Sequence, residues 1–283
     1  MVERPDRVTG GPAGVQRGGE GGAGAGDFGA FCEEIRRLTG LDLCQYRPHQ
    51  IERRLGGLLA RYQVADWAAY LEMLRQDPAR REEFVEWVTI GVSEFFRNED
   101  RFRELRDVHL PALIRAAGSG GLRAWSAGCA DGPEPYSVAI LLEQLDPAGH
   151  HRVLATDIDR QGLRAAEAGI YGEEAMRQVD AVTRDRFFRP EGDRWKVVPA
   201  VSSRVTFRYH DLLSVVYPQG FHLVLCRNVL IYFEDGSKHA ILGRLAQSLL
   251  PQGVLFLGAT EMVRDPHSLG LRYLSPCFYR KEG

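Results

Sequence analysis

The residues of this 283-residue chain best suited to chemistry lie where glycines and charged groups interrupt apolar runs. The turn Gly128-Cys129-Ala130-Asp131-Gly132-Pro133 separates an apolar run from the helix-like stretch Val138 to Leu142. Its glycines let the backbone approach a bound molecule, while Ala127, Cys129 and Ala130 keep side chains out of the way. The spacing is neither that of a GxGxxG fingerprint nor that of a GK[ST] phosphate loop, so neither a pyrophosphate nor a triphosphate is indicated. Asp157 ends the apolar run that begins at Val153. A carboxylate there can accept hydrogen bonds from both hydroxyls of a ribose, and the same position also suits an ordinary helix N-cap. A glycine turn after one strand and an acid after the next point to a nucleoside cofactor without phosphates, which is an S-adenosylmethionine site. Arg227 and Asn228 follow a second apolar run, and burying such groups is costly unless they meet partners. Tyr232 can be core or can face the reacting centre. Arg97, beside Phe95 and Phe96, can be a surface charge or a fixed anion contact.

The elements that must position these groups read as an α/β unit. Residues 122–126, 153–157, 221–226 and 253–258 read as strands, and 134–145, 160–168 and 238–250 as helices. Continuous apolar strands between amphipathic helices predict a parallel sheet covered on both faces, with 273–280 as an added edge strand. Between Gly169 and His210, the segments 184–188, 195–198 and 204–208 suggest a small antiparallel excursion, turned at 190–193.

Ahead of this unit the pattern is helical. Phe28, Phe31, Cys32, Ile35 and Leu38 recur at helical spacing between an N-cap at Asp27 and a stop at Gly40. A second helix follows Pro48. Its apolar face is Ile51, Leu55, Leu58, Leu59 and Tyr62, and Arg47, His49, Arg53, Arg54 and Arg61 face a single acid, Glu52. This charge is either a solvated face or a docking surface for an acidic partner. A third helix is capped by Asp66, and a fourth carries Phe84, Val85, Trp87 and Val88. The expected organisation is a Gly-rich disordered tail over 1–26, a helical bundle over 27–92, a linking helix over 93–120 that breaks at Pro111, and 121–283 as the cofactor-binding unit, with the excursion at about 170–210.

A net charge of -2 gives no whole-chain reason to expect nucleic-acid or membrane binding. Cysteines 32, 44, 129, 226 and 277 have neither zinc-knuckle nor disulfide-framework spacing, so a reducing cytosol is expected. No run approaches the roughly 18 apolar residues of a membrane span, and 1–26 lacks the apolar core of a signal peptide.

Ser93-Glu94-Phe95-Phe96-Arg97, Trp125-Ser126-Ala127-Gly128-Cys129, Glu134-Pro135-Tyr136-Ser137, Ala155-Thr156-Asp157-Ile158-Asp159, the run from Cys226 to Phe233, and Leu255-Phe256-Leu257-Gly258 with Glu261 resemble the CheR family. These are methyltransferases that esterify glutamates on chemotaxis receptors. The resemblance runs from about residue 27 to 280. It implies a Rossmann-like S-adenosylmethionine-dependent methyltransferase domain, an N-terminal helical bundle and a small antiparallel β-subdomain. The implied partners are the cytoplasmic domains of methyl-accepting receptors, with no nucleic acid and no membrane insertion, and the expected protein is a cytoplasmic monomer releasing S-adenosylhomocysteine. In some relatives the β-subdomain also grips a receptor C-terminal pentapeptide. The short turn at 190–193 favours a pentapeptide-independent enzyme.

Residue by residue, the resemblance implies that Ser93, Arg97, Glu134, Asp157, Asp211, Leu212, Arg227 and Asn228 contact the cofactor, and the glycine turn itself adds Gly128. The resemblance makes Arg97 the group that orients the substrate carboxylate and places Tyr232 near the transferred methyl. It makes Arg47, Arg53, Arg54 and Arg61 the receptor-recognition surface. The sequence departs from the family at Gly91 (often asparagine), Ser93 (often threonine), Pro133 (often glutamate) and Asp211 (often asparagine). One lost hydrogen bond is worth roughly 0.5–1.5 kcal/mol, so these departures are compatible with about tenfold weaker cofactor binding. Gly91 and Pro133 motivate one rival, a cofactor-binding regulatory or scaffold module with weak or no transferase activity; a second rival is a same-fold enzyme acting on a non-chemotaxis protein. A glutamate with a reference pKa of about 4.3 is already anionic near neutrality, so no general base is needed.

Overall fold

The computed structural model describes residues 25–55, 57–89 and 93–283, with the side chains of all of these except 25–28 and 52–54. Residues 1–24, Gly91 and the side chains of Arg53 and Arg54, each of which carries a sequence expectation, lie outside the described residues.

The first five helices are α1 (Ala25–Thr39), α2 (Pro48–Leu55), α3 (Leu58–Tyr62), α4 (Trp67–Gln76) and α5 (Pro78–Thr89), with a 3-10 turn at Leu43–Gln45 before α2. Their apolar faces meet in one core built from Phe31, Ile35, Leu43, Leu55, Leu58, Tyr70, Leu74 and Phe84, all buried. Asp66 caps α4 by accepting from the Ala69 N–H at 2.9 Å. The expected second helix is two: Gly57, second of a glycine pair, separates α2 from α3 because glycine loses more entropy on entering a helix than any other residue. Helix α1 already includes Ala25, so Asp27, the expected cap position, lies within the helix.

Pro111 does not break the linking helix. Helix α6 (Glu99–Glu104) passes through a wide π turn, Leu105–His109, into α7 (Leu110–Ala117). There the Leu110 N–H reaches back to the Leu105 carbonyl, five residues away. The register change lets Pro111 enter in the first turn of α7, where its missing N–H costs nothing.

The remaining chain runs β1 (Arg123–Ala127), α8 (Pro133–Leu145), β2 (Arg152–Asp157), α9 (Arg160–Ala168), β3 (Ile170–Tyr171), α10 (Ala181–Phe187), β4 (Phe188–Glu191), β5 (Arg194–Val197), α11 (Pro199–Ser202), β6 (Val205–Tyr209), β7 (Phe221–Cys226), α12 (Asp235–Ser248), β8 (Leu249–Leu257), β9 (Leu271–Ser275) and β10 (Phe278–Lys281). The main sheet has the order β6-β2-β1-β7-β8-β10-β9, and β3-β5-β4 form a separate small sheet. Strands β6, β2, β1, β7 and β8 are parallel, as the uninterrupted apolar runs predict. Side chains of the central strands are buried on both faces: Leu223, Leu225 and Phe256 face one core, and Trp125, Val224 and Leu255 the other.

Three expectations about the strands also need correction. Segment 204–208 is not part of the excursion, because Val205 to Tyr209 pair in parallel with Val153 to Asp157 at the edge of the main sheet. Residues 184–187 are helical: Asp180 accepts from the Thr183 N–H at 2.9 Å and starts α10, and the hairpin begins only at Phe188. The single edge strand at 273–280 is an antiparallel hairpin, β9 and β10, turned at Cys277 with φ 77.

Since β1 pairs with β2 on one side and β7 on the other, the chain reverses its direction of travel across the sheet between β1 and β7. In open α/β sheets the crevice at the carboxyl ends of such a strand pair is the place for a ligand.

Candidate functional site

Beyond β1 the chain turns sharply at Gly128 (φ 84), Ala130 (φ 48) and Gly132 (φ 99). The N–H groups of Gly128 and Cys129 both donate to the Thr156 carbonyl, at 2.8 and 3.0 Å, so the turn is pinned to the end of β2. A Cβ on Gly128 would stand 2.5 Å from Val229 Cγ2, which explains the glycine by contact as well as by dihedral.

Asp157 ends β2. Its Oδ2 accepts from the Ala130 N–H at 2.8 Å and its Oδ1 from the Asp159 N–H at 2.9 Å. It is not the N-cap of α9; Asp159 is, accepting from the Gln161 N–H. Burial holds the Asp157 carboxyl above its ordinary range, opposed by those backbone hydrogen bonds. Glu134, in the first turn of α8, accepts from Ser126 Oγ at 2.8 Å and pairs with Arg227 at 3.2 Å. Burial raises its carboxyl too, with Arg227 pulling the other way.

Arg227 follows β7 and is buried, its guanidinium carbon 5.1 Å from the Phe102 ring centroid and 4.5 Å from that of Phe256. It donates to the Arg97 carbonyl at 2.7 Å and to Asn98 Oδ1 at 2.9 Å. The partners that its burial demanded are therefore Glu134 and the backbone of the segment that carries Arg97. That segment is held further by buried Phe95 and Phe96, whose N–H groups donate to Ala175 O and Ser137 Oγ, both at 3.0 Å. Asn228 takes a left-handed backbone (φ 60), and the chain then enters a 3-10 turn, Leu230–Tyr232.

These elements enclose one cavity of about 370 Å³, within the size range of small-molecule sites. Ser93, Arg97, Gly128, Glu134, Asp157, Asp211, Leu212, Arg227, Asn228 and Tyr232 all line it. Arg47 and Arg61 do not. Arg61 pairs with Glu83 at 3.0 Å and lies over the Trp87 ring, while Arg47 pairs with Asp235 at 2.9 Å. Asp211 Oδ1 accepts from the Leu213 N–H at 2.8 Å, which leaves its other oxygen for a ligand.

Tyr46, His210 and Glu261 shape the site without having been given a site role in the sequence. Tyr46, from the helical part, lines the cavity. His210 lines it with a buried Nε2 that has no hydrogen-bond partner among the described residues, and burial lowers its pKa, favouring the neutral ring. Glu261 is 1% exposed and accepts from four backbone N–H groups: Gly258, Asn228, Val229 and Leu230, at 2.7 to 3.0 Å. Only its place in the resemblance marked it in the sequence, because no local pattern reveals which amides a distant carboxylate will meet.

The cavity suits the expected cofactor: a turn that cannot admit a Cβ, a buried acid at the end of β2, and an unpartnered ring nitrogen beside Asp211. Comparison with known proteins agrees. Residues 91–272 match the family model described as the CheR methyltransferase, SAM binding domain, and residues 26–89 match the CheR methyltransferase, all-alpha domain. A chemotaxis protein methyltransferase of Listeria monocytogenes is 36% identical over 255 residues, covering 90% of this chain and 97% of that protein. Chemotaxis protein methyltransferase 1 of Pseudomonas aeruginosa is 34% identical over 249 residues, covering 84% and 91%. With both parts of the chain matched and the cavity formed from the residues of the matched motifs, this protein belongs to the CheR family of S-adenosylmethionine-dependent methyltransferases.

Proposed function

We propose that this chain methylates glutamate side chains on the cytoplasmic helices of chemotaxis receptors, forming methyl esters and releasing S-adenosylhomocysteine. The observation that carries this reading is that Arg97 and Tyr232 share one cavity with the cofactor-side residues Gly128, Glu134 and Asp157. Bound S-adenosylmethionine supplies a methyl carbon made electrophilic by its sulfonium. The protein's own work is to align a carboxylate oxygen with that carbon and to exclude water. Arg97 holds the carboxylate by a charge-assisted hydrogen bond, and Tyr232 limits its approach. Asp157 accepts the ribose hydroxyls, and Glu134 is held for the cofactor by Ser126 and Arg227. A carboxylate nucleophile is already anionic near neutrality, so no proton need be removed.

Incubation with labelled S-adenosylmethionine and receptor cytoplasmic fragments tests the proposal. Base-labile methyl ester on the receptor is the expected product; label on another protein, or none, would select one of the two rivals. In the same assay the double charge reversal R53E/R54E should raise the KM for the receptor about tenfold while leaving cofactor affinity unchanged, since none of the described side chains of α2 lines the cavity. An unchanged KM would remove α2 as the recognition surface.

Cofactor affinity should also depend on pH. Because burial raises the Asp157 carboxyl above its ordinary 3.8, protonation begins at higher pH than for an exposed aspartate. The protonated form cannot accept from both ribose hydroxyls, so affinity should fall as pH drops through the raised value, at higher pH than an exposed aspartate would require. In the free protein the sign is opposite: a raised acid contributes stability below its unfolded pKa and loses it as pH rises through the folded value. D157N should weaken binding about ten- to a hundredfold at neutral pH and flatten this part of the pH dependence, as calorimetry across the range would show. A D157N profile as steep as the wild type would assign the dependence to Glu134.

A further inference from the structure

The loop that carries Tyr232 is held from outside its own domain. Just before α2, the backbone of Gln45, Tyr46 and Arg47 lies antiparallel to that of Tyr232, Phe233 and Glu234, with Tyr46 bridged to Phe233. The Arg47 N–H donates to the Tyr232 carbonyl at 2.8 Å, and the Glu234 N–H donates to the Gln45 carbonyl at 2.9 Å. Side chains repeat the attachment. Arg47 Nε donates to the Phe233 carbonyl at 3.2 Å, and its terminal nitrogen donates to Asp235 at 2.9 Å. Ser237 Oγ donates to Gln45 Oε1 at 2.6 Å, and the Tyr46 and Phe233 ring centroids are 4.7 Å apart. Asp235 also takes Arg264 at 3.3 Å, and its carboxyl lies below the ordinary range because Arg47, first, and Arg264 stabilise its charge.

Each end of this strap is rooted in a different core. Leu43 is fully buried among the helices of the N-terminal part, and Phe233 is buried against α12 and the main sheet. Tyr46 and Tyr232 line the same cavity from the two sides of the bridge. A surface ion pair by itself contributes little. Here, however, one guanidinium bonds a carbonyl and a carboxylate at once, next to two backbone hydrogen bonds, so moving Tyr232 would break several contacts together. That geometry differs from a recognition role, in which Arg47 would present its charge to an acidic helix.

We propose that the Gln45-Tyr46-Arg47 strap sets the position of Tyr232 in the methyl-transfer site, and that Arg47 is a positioning residue for that reaction and not a receptor contact. This rests on the glutamate-methylation reading for its kinetic consequence and on the bridge alone for its structural one. A lysine cannot replace Arg47, because its donors all sit on one nitrogen, whereas Arg47 reaches Phe233 from Nε and Asp235 from a terminal nitrogen.

The test uses the full chain with R47A, R47K, D235N and the charge swap R47D/D235R. Hydrogen exchange over residues 230–236, measured without ligand, should speed up about three- to tenfold in R47A, R47K and D235N, the worth of one partly exposed hydrogen bond to a charged group. Part of the protection should return in the swap. In methylation assays with receptor fragments, the kcat of R47A should fall by a similar factor, with the KM for receptor and the Kd for S-adenosylmethionine within about twofold of wild type. Unchanged exchange would overturn the strap. A raised KM at unchanged kcat in R47A, with D235N silent, would make Arg47 a receptor contact and overturn the proposal equally. If wild type transfers no methyl to any receptor fragment, the substrate reading fails, and exchange still decides whether the strap holds the loop.

Discussion

R97A is expected to lose about two orders of magnitude or more in kcat for receptor methylation, the cost of removing a preorganised charged donor from a reacting centre. The backbone around Arg97 is built to keep that side chain in place. Phe95 and Phe96 are buried just ahead of α6, Phe96 holds φ 54, and the Arg97 carbonyl is fixed by Arg227 at 2.7 Å. These contacts are made by the Arg97 backbone and by its neighbours, so they remain in the alanine variant. R97K should recover little, since an ammonium is a point charge and cannot grip a carboxylate through a planar fork. Cofactor affinity should fall less than kcat, because Gly128, Glu134 and Asp157 remain. Calorimetry with S-adenosylmethionine and single-turnover methylation separate the two effects. A variant with full kcat would remove Arg97 from the reaction.

The second large effect is on stability. E261A should destabilise the protein by about 4 kcal/mol or more, since each buried N–H left unpaired costs about 1–3 kcal/mol and four of them meet this one carboxylate. Against a typical total of about 5–15 kcal/mol, that is enough to lower the urea midpoint steeply or to leave little folded protein. E261Q should restore only part. Its carbonyl oxygen can serve one pair of amides, but its NH2 then faces the other pair, donor against donor. The damage should reach the cofactor as well. Glu261 fixes Asn228 and Val229, and Val229 packs against the space where Gly128 has no side chain. Saturating S-adenosylmethionine should therefore raise the E261Q midpoint by less than it raises that of wild type. Equal midpoints for wild type and E261A would mean that the four hydrogen bonds are replaceable by water.

Much of the site was legible because its signals are local. Alternation of apolar runs, a glycine turn without phosphate-loop spacing and an acid at a strand end are patterns a few residues long, set by dihedral preference and burial. Helices Arg160–Ala168 and the strand Phe221–Cys226 were predicted to the residue for this reason. Errors arose where neighbours in space decide. Val205 to Tyr209 alternates like a strand of a small hairpin, but it finds open hydrogen-bonding groups along β2 and becomes the parallel edge of the main sheet. Pro111 is a helix breaker by its covalent structure, yet a π turn absorbs it once Leu105 and Leu110 are buried in the same core.

Charge shows the same division. Counting arginines made Arg47 and Arg61 equivalent to Arg53 and Arg54 as a recognition face, because sequence records charge and not the counter-charge that will meet it. Folding brings Asp235, 188 residues away, to Arg47, and Glu83 to Arg61. What the sequence by itself determined is the cofactor class, the parallel α/β core and the residues that end its strands, since backbone dihedrals and apolar periodicity are written locally. Only the tertiary structure decided that Arg227 serves the Arg97 backbone, that Glu261 organises the loop behind Asn228, and that the helical part reaches across to Tyr232. Each of these depends on a buried or paired polar group finding its partner across the chain, and polar groups are satisfied by geometry that no local pattern encodes.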